Sequence, residues 1–320
     1  MMQQTNRPVI FITVPLAPAL MAQLSAQFDC LHGWELQDAL LAGEVWPAVR
    51  AVVTTGAAGA ARQLLQALPA VELVACVGVG FDAIDLDYAR EYGIAVTTTP
   101  GVLDRCVADT ALALLLAVFR QLVRADAFVR QGRWQQGGFP LARGLHGKRC
   151  GIVGLGNIGR AIARRAEAFD MQVSYHGRGR KVDVVYPYYA DLLEMAAAVD
   201  VLVLVLALPG GAATHHVVDG RVLDALGPEG VLINIARGSV VDQAALVERL
   251  LDGRLGGAGL DVFEQEPQVP EALFDLPNVV LTPHVASATV ETRTAMARLM
   301  LDNLLAHFSG RPLLTPLRLS

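Results

Sequence analysis

The sequence predicts an α/β fold with two doubly wound parallel sheets. Short apolar runs alternate with stretches of helical periodicity along the whole chain, and most runs are apolar at consecutive positions. Strands that helices cover on both faces need such continuous apolar runs. The third observation is length, because 320 residues are enough for about two domains.

The predicted strands are apolar runs that end at turn residues, and they fall into two groups. The first group lies at residues 9–13, 51–54, 73–76 and 95–97. The second group lies at residues 149–153, 171–175, 201–206, 231–234, 259–261 and 279–282. Helical periodicity between the strands predicts helices at residues 58–68, 158–169, 192–199, 243–251 and 286–308.

The domain boundaries follow from this order of elements. Residues 97–101 are predicted to form a hinge, which a long apolar helix at residues 107–130 follows. The last helix precedes no strand that could join the second sheet, so we expect it to return to the first domain. The predicted domains are therefore residues 1–100 with 287–320, and residues 101–286.

Composition excludes several classes of function. Apolar residues make up 53% of the chain, but no run approaches the ~20 residues of a membrane span. The N-terminus lacks the features of a secretory signal, which predicts a cytoplasmic protein. A net charge of −5 without a basic run argues against nucleic acid or an anionic membrane as partner. The apolar helix at 107–130 instead predicts a homodimer.

The cysteines predict neither a disulfide framework nor a metal site. Cys30, Cys76, Cys106 and Cys150 are scattered, with no Cys-x-x-Cys pair and no neighbouring histidine at metal-ligand spacing. Reduced, buried thiols agree with a cytosolic compartment.

A glycine-rich turn follows the strand at 149–153 and opens the helix at 158–169. Its pattern is G-x-G-x-x-G, in which the glycines permit a tight turn, close approach of a pyrophosphate and packing of helix on strand. The amino end of a helix also supplies N–H donors to an anion. We therefore expect a dinucleotide to contact Gly154, Leu155, Gly156, Asn157, Ile158 and Gly159.

The end of the next strand predicts which dinucleotide binds. NAD sites place an acidic residue about 20 positions on, which holds the ribose 2′-hydroxyl. Here Gly177 and Arg178 follow the strand, with Arg180 and Lys181 close behind. Cations at this position favour a 2′-phosphate, so we expect NADP(H), with NAD(H) possible as a second cofactor.

Three polar residues follow predicted strands of the second domain: Arg237, Glu266 and His284. Ligands of open parallel sheets bind beyond the carboxyl ends of strands. Reduction of a carbonyl needs a hydride, a proton for the alkoxide and an anchor for the substrate. A histidinium can give the proton, a carboxylate beside it can stabilise that histidinium, and an arginine can bind a carboxylate through two hydrogen bonds.

The chain resembles the D-isomer-specific 2-hydroxyacid dehydrogenases over nearly its whole length. Within that family it is most similar to the branch of glyoxylate, hydroxypyruvate and hydroxyphenylpyruvate reductases. The resemblance implies a flavodoxin-like substrate domain and a Rossmann dinucleotide-binding domain. The segments that carry it are VGVGFDAID at 77–85, GLGNIG at 154–159, NIARGSVVD at 234–242, GLDVFEQEP at 259–267 and TPHVAS at 282–287.

The resemblance also implies roles for individual residues. Arg237 is expected to bind the substrate's carboxylate and carbonyl oxygen, Glu266 to pair with the catalytic histidine, and His284 to act as acid and base. It further implies substrate contacts from the backbone amides of Val77, Gly78 and Val79, and from Trp134 reaching across a dimer. Implied cofactor contacts are Thr214, Ala236, Asp261, which is expected at the nicotinamide carboxamide, and His284.

The expected activity is reduction of a small 2-keto acid to the D-2-hydroxy acid with NADPH. A dinucleotide-sensing regulator is an alternative, because corepressors share this fold. Oxidation of another substrate such as phosphite is a second alternative. Formate is disfavoured, since formate dehydrogenases of this superfamily carry Gln where this chain has Glu266.

Overall fold

The computed structural model describes residues 7–205 and 214–319. They form two compact units, residues 7–103 with 289–319 and residues 104–205 with 214–288. Each unit has one sheet in which every pair of neighbouring strands is parallel. The predicted α/β fold with two parallel sheets is confirmed.

The first unit begins with five strands and four helices. In chain order they are β1 (Val9–Ile12), α1 (Pro18–Gln27), β2 (Asp29–His32), α2 (Gln37–Leu41), β3 (Val49–Thr55), α3 (Arg62–Ala67), β4 (Leu73–Val77), α4 (Leu86–Glu91) and β5 (Ala95–Thr97). The strand order β2-β1-β3-β4-β5 is that of flavodoxin-like folds. All residues of β4 are buried, as expected for a strand between two layers of helices.

The second unit holds seven strands. Its elements are α5 (Asp104–Arg120), α6 (Leu122–Arg130), β6 (Arg149–Val153), α7 (Asn157–Ala168), β7 (Gln172–His176), β8 (Tyr188–Tyr189), α8 (Leu192–Ala198), β9 (Val201–Leu204), α9 (Gly220–Leu226), β10 (Val231–Asn234), α10 (Gln243–Leu251), β11 (Gly257–Leu260) and β12 (Val279–Leu281). The sheet order is β12-β11-β10-β9-β6-β7-β8. This is the Rossmann order, with β6 at the point where the direction reverses and one further strand at the edge.

The last helix, α11 (Val290–Phe308), belongs to the first unit and packs near β4. Buried Asn303 fixes the chain that follows it, because its Oδ1 accepts hydrogen bonds from the amides of Leu314 and Thr315. The Leu317 amide then donates to the carbonyl of Val96. Leu317 therefore lies beside β5, in the unit that also holds β1.

The predicted single helix at 107–130 is wrong. The chain breaks at Gln121, which has the left-handed φ of 51°, and α5 and α6 diverge by 61°. Side chains along α5 are buried within the second unit, whereas α6 has none buried. No described helix is by itself long and apolar enough to cross a membrane; only α5 and α6 taken as a pair reach that length and composition.

Other differences from the predicted elements are local. The strand β2 was not predicted, since its sequence DCLH is polar at both ends and partly exposed. The two-residue strand β8 was also not predicted. The predicted strand at 201–206 is observed as β9, and its last predicted residue, Leu206, lies outside the described residues.

Candidate active site

The strands β10, β11 and β12 end at one edge of the second sheet, and a loop with one candidate residue follows each of them. Arg237 lies three residues after Asn234, the last residue of β10. Glu266 lies in the loop after β11, and His284 lies in the loop after β12. The fold therefore brings the three predicted loops to the same edge, because neighbouring strands are parallel.

His284 and Glu266 form a direct hydrogen bond. The His284 Nδ1 atom lies 2.7 Å from Oε2 of Glu266, and both side chains are partly exposed. The other oxygen, Oε1, accepts a hydrogen bond from the Phe263 amide at 3.0 Å. Since a carboxylate only accepts, Nδ1 carries a proton and Nε2 is the nitrogen that can exchange a proton with a ligand.

A buried carboxylate fixes the backbone of His284. Asp261 has no exposed surface, and it accepts hydrogen bonds from Thr282 Oγ1 at 2.6 Å and from the Val285 and Ala286 amides at 2.8 Å. Its carbonyl also accepts from the His284 amide at 2.9 Å. His284 has φ of 52°, a conformation that costs energy for most residues and needs such support. Asp261 is thus a positioning residue; its implied contact with nicotinamide stays a prediction.

The loop of Arg237 is packed directly on the loop of Glu266. A Cβ atom on Gly238 would stand 1.9 Å from the carbonyl carbon of Phe263, so only glycine fits there. Buried Asn234 shapes the same loop, because its Oδ1 accepts from the Ala236 amide and its Nδ2 donates to the Arg237 carbonyl at 2.9 Å. The backbone at Arg237 is therefore set by contacts on both sides.

The glycine-rich turn fits a dinucleotide. Gly154 has φ of 103°, and a Cβ atom on Gly159 would stand 2.2 Å from the Gly154 carbonyl oxygen, so helix α7 packs closely on the turn. At Gly156 a Cβ atom would meet no atom of the described residues within 4 Å, so this part of the chain leaves the backbone before the helix open to a ligand. An anion can lie at this helix start, which is what a pyrophosphate requires.

The loop after β7 carries exposed cations, and two tyrosine hydroxyls bond to its backbone. The Tyr175 hydroxyl accepts a hydrogen bond from the Lys181 amide at 2.7 Å, and the Tyr188 hydroxyl donates to the Gly177 carbonyl at 3.2 Å. Arg178 and Arg180 are exposed, and neither forms an ion pair with any residue in the described part of the chain. Two unneutralised guanidinium groups on a fixed loop suit a phosphate ligand.

A further ion pair ties this loop to helix α7. The guanidinium of Arg160 lies 2.8 Å from the Asp183 carboxylate, and this hydrogen bond lowers the pKa of Asp183. The Tyr186 hydroxyl donates to Glu167 at 2.9 Å, and burial raises the pKa of that tyrosine. The acidic residue of the loop is therefore held by Arg160 rather than by the cations at 178–181.

In the first unit, the predicted substrate-binding amides differ in availability. The Gly78 amide donates to Thr99 Oγ1 at 2.9 Å, and the Thr99 amide donates to the Gly78 carbonyl at 2.7 Å. Val77 is the last residue of β4, and Val79 lies in the bend that follows it. The Gly78 amide thus already has a hydrogen-bond partner. The predicted binding of substrate by this segment therefore depends more on the amides of Val77 and Val79.

Three other predicted site residues lie in the second unit. Among the described residues, the buried Oγ1 of Thr214 has no hydrogen-bond partner, and a ligand could satisfy it. The Ala236 amide donates to Asn234 at 3.0 Å. Trp134 is 69% exposed, as an interface residue of an isolated chain would be.

Two residues that shape the site, Asn234 and Gly238, were given no role of their own from the sequence. A signal for Asn234 was present, because it is a polar residue at the end of an apolar strand.

Comparison with known proteins agrees with this fold. Residues 112–286 match the NAD binding domain of the D-isomer specific 2-hydroxyacid dehydrogenases. The chain is 50% identical over 308 residues to a glyoxylate/hydroxypyruvate reductase of Arabidopsis thaliana, covering 96% of this chain and 98% of that protein. The chain therefore belongs to the D-isomer-specific 2-hydroxyacid dehydrogenase family, as the resemblance implied.

Two other similar proteins are reductases as well. The chain is 49% identical to a hydroxyphenylpyruvate reductase of Plectranthus scutellarioides, with 96% of this chain and 98% of that protein covered. It is also similar to the crystal structure of an NADPH-dependent glyoxylate/hydroxypyruvate reductase of Sinorhizobium meliloti in complex with NADP and malonate. That structure has a TM-score of 0.92 and 46% identity, and the match covers 98% and 97% of the two chains.

Proposed function

We propose that this protein reduces small 2-keto acids of the glyoxylate and hydroxypyruvate type to D-2-hydroxy acids and that it prefers NADPH. The observation that carries the proposal is the 2.7 Å hydrogen bond between His284 and Glu266 at the ligand-binding edge of a dinucleotide fold. A dinucleotide sensor would have no need of an oriented acid. The names of the similar reductases support the same reaction class.

The dinucleotide would be held by the second unit. In this proposal the amides at the start of α7 bind the pyrophosphate, and the open backbone at Gly156 gives it access. Thr214 Oγ1, Ala236 and Asp261 stay proposed contacts. When bound, the reduced nicotinamide supplies the hydride.

The substrate would be anchored by charge. Arg237 can form two hydrogen bonds with a carboxylate, and its neighbour Gly238 fixes the loop against Phe263. Such an anchor limits the freedom of the keto acid before reaction, which lowers the entropic part of the barrier. Amides of the segment Val77 to Val79 are proposed as further contacts, with the Gly78 amide the least available.

The proton would come from His284 Nε2. Because Nδ1 donates to Glu266, the ring is held in one orientation with Nε2 left for the substrate oxygen. The carboxylate of Glu266 stabilises the imidazolium before transfer, and the alkoxide takes the Nε2 proton as the carbonyl is reduced. In the reverse direction the neutral ring would accept the proton from the hydroxyl.

The preference for NADPH would come from the loop after β7. Arg178 is the proposed main contact of the 2′-phosphate, and Arg180 and Lys181 are proposed helpers. The tyrosine hydroxyls of Tyr175 and Tyr188 hold this loop in place before the ligand arrives. The complex of the similar Sinorhizobium meliloti reductase with NADP supports NADP(H) as the cofactor.

A homodimer is proposed through helix α6. Leu122, Val123 and Val129 are each more than half exposed, and Trp134 follows close behind them. Apolar side chains gathered on one exposed helix indicate a protein interface. Sedimentation should give a dimer for the wild type and monomer for a Val123→Asp, Val129→Asp variant. A monomeric wild type would reject this interface, and with it the reach of Trp134 into a partner.

The test of the reaction is NADPH oxidation with glyoxylate, hydroxypyruvate, pyruvate, 2-ketogluconate and hydroxyphenylpyruvate. We expect turnover with at least one of them, and loss of roughly 10²-fold or more in His284→Ala. His146→Ala is the matched control, because His146 is exposed and lies apart from the site loops. Cofactor binding without turnover of any keto acid would favour a dinucleotide-sensing regulator, and oxidation of phosphite alone would favour the other alternative.

A further inference from the structure

Two consecutive histidines occupy an unusual backbone in the second unit. His215 and His216 lie in the turn before α9, beside the loop of Arg237. The His216 amide donates to the Ser239 carbonyl at 2.9 Å, and the Val218 amide donates to Val240 at 3.0 Å. His216 itself has φ of 52°, in the left-handed region. The turn is therefore held by backbone bonds while one of its residues carries strain.

This backbone brings the two imidazole rings together. Successive side chains of an extended segment point to opposite sides. Here the rings of His215 and His216 are stacked, with centroids 3.8 Å apart and planes inclined by 26°. His215 is exposed and His216 is partly exposed, so burial does not force the contact.

A carboxylate completes the cluster. His216 Nε2 lies 2.6 Å from Glu264 Oε1. Glu264 is itself fixed, because its amide donates to Gln243 Oε1 at 3.1 Å and its backbone packs on Gly238. One potential ligand atom from each of the three side chains lies within 4.8 Å of the others.

We propose that His215, His216 and Glu264 bind a divalent transition-metal ion of the zinc type. Two imidazoles and one carboxylate suit Zn²⁺, Ni²⁺ or Cu²⁺, whereas Ca²⁺ and Mg²⁺ need oxygen ligands. Three protein ligands also leave a position for water, as in open zinc sites. The ion would replace the proton that His216 and Glu264 share, and that proton would leave to solvent.

The distances permit this with small movements. Ligand bonds of about 2.0–2.1 Å place neighbouring ligand atoms of a tetrahedral ion roughly 3.3 Å apart. The 2.6 Å contact of His216 and Glu264 must open slightly, and the stacked ring of His215, whose ligand atom lies at most 4.8 Å from the other two, must turn towards the ion. His215 is the exposed member of the cluster, so solvent leaves room for that turn. The other two ligands are already held by the Ser239 and Gln243 contacts.

The site can be tested without substrate or cofactor. Chelator-treated full-length protein is titrated with Zn²⁺ alone by calorimetry, and with Co²⁺ alone by visible absorption. We expect one saturable site and a Co²⁺ spectrum typical of tetrahedral ligation. Loss of a residue that only hydrogen-bonds to a metal ligand typically weakens metal binding roughly 10- to 100-fold, and His215→Ala should weaken Zn²⁺ binding at least as much.

The controls decide whether the ion binds here. His32→Ala removes another histidine that pairs with a carboxylate, Glu35, at 3.2 Å but has no second imidazole beside it, so Zn²⁺ affinity should stay unchanged. Because His215 is exposed, its substitution should leave the fold intact, which circular dichroism checks. The proposal fails if no saturable binding occurs, if His215→Ala binds Zn²⁺ as the wild type does, or if His32→Ala loses binding equally.

Discussion

His284 Nδ1 and Glu266 Oε2 lie 2.7 Å apart, although 18 residues separate them in the chain. A Glu266→Gln variant keeps the size of the side chain and removes its charge. We expect turnover in the reductive direction to fall by roughly 10-fold or more, because a neutral amide stabilises the imidazolium less.

The measurement is the rate of NADPH oxidation at saturating keto acid. Glu271→Gln is the control, because Glu271 lies in the same connection between β11 and β12 and is exposed. Turnover in Glu266→Gln equal to that of the wild type would contradict this role of Glu266.

Arg178 carries the proposed preference for the 2′-phosphate. An Arg178→Ala variant should bind NADPH roughly 10- to 100-fold more weakly, since hydrogen bonds to charged groups contribute about 1.5–3 kcal/mol. Affinity for NADH should change little, and fluorescence titration with both cofactors measures the ratio. Arg130→Ala is a control, because that arginine is exposed but paired with Asp126. An unchanged ratio in Arg178→Ala would disprove the assignment.

Gly238 lies where the loops of Arg237 and Glu266 touch. In Gly238→Ala the new Cβ atom would stand 1.9 Å from the Phe263 carbonyl carbon, so backbone must move. We expect a loss of about 1–3 kcal/mol in the free energy of unfolding. We also expect kcat to fall, with an increase in the activation free energy that is larger than this loss of stability. Urea unfolding and steady-state rates measure both. In the control Gly144→Ala no atom of the described residues lies within 4 Å of the new atom, so this substitution should change neither quantity.

The sequence predicted the sheets well because their strands are continuous apolar runs. The three strands that lead to the site, β10, β11 and β12, were predicted within two residues, since burial on both faces leaves a clear pattern. Partly exposed β2 lacks that pattern and was missed. The break at Gln121 has no local signal, because neither glycine nor proline marks it.

The candidate site was predicted as residue types at strand ends, and its contacts were not. Nothing in the spacing indicates that buried Asp261 fixes the His284 loop, since its three partners lie 21 to 25 residues away. The cluster of His215, His216 and Glu264 was also invisible, because neighbouring side chains ordinarily diverge and the carboxylate is 48 residues from His216. The partner of the Gly78 amide, Thr99, is likewise set by the fold.

Asp200 should make stability depend on pH. Its carboxylate bonds to the side chain and amide of Arg149, which lowers the pKa of Asp200 below its ordinary value of 3.8. A lowered pKa means that this stabilisation is fully present above pH 3.8 and is lost as pH falls through the lower, folded value. In Asp200→Asn the amide contact can persist while the charge is removed. We expect a loss of about 1 kcal/mol at neutral pH that shrinks towards zero in acid.

Urea unfolding of the two proteins between neutral pH and about pH 3 measures this difference. Asp126→Asn is the control, because the Asp126–Arg130 pair is also hydrogen-bonded but its carboxylate side chain is 61% exposed, against 23% for Asp200. Solvent screening should make the effect at Asp126 much smaller. If the difference in the free energy of unfolding between wild type and Asp200→Asn stays constant with pH, the charge of Asp200 does not contribute to stability, and the contact between the amino ends of β6 and β9 depends only on the fit of the side chains.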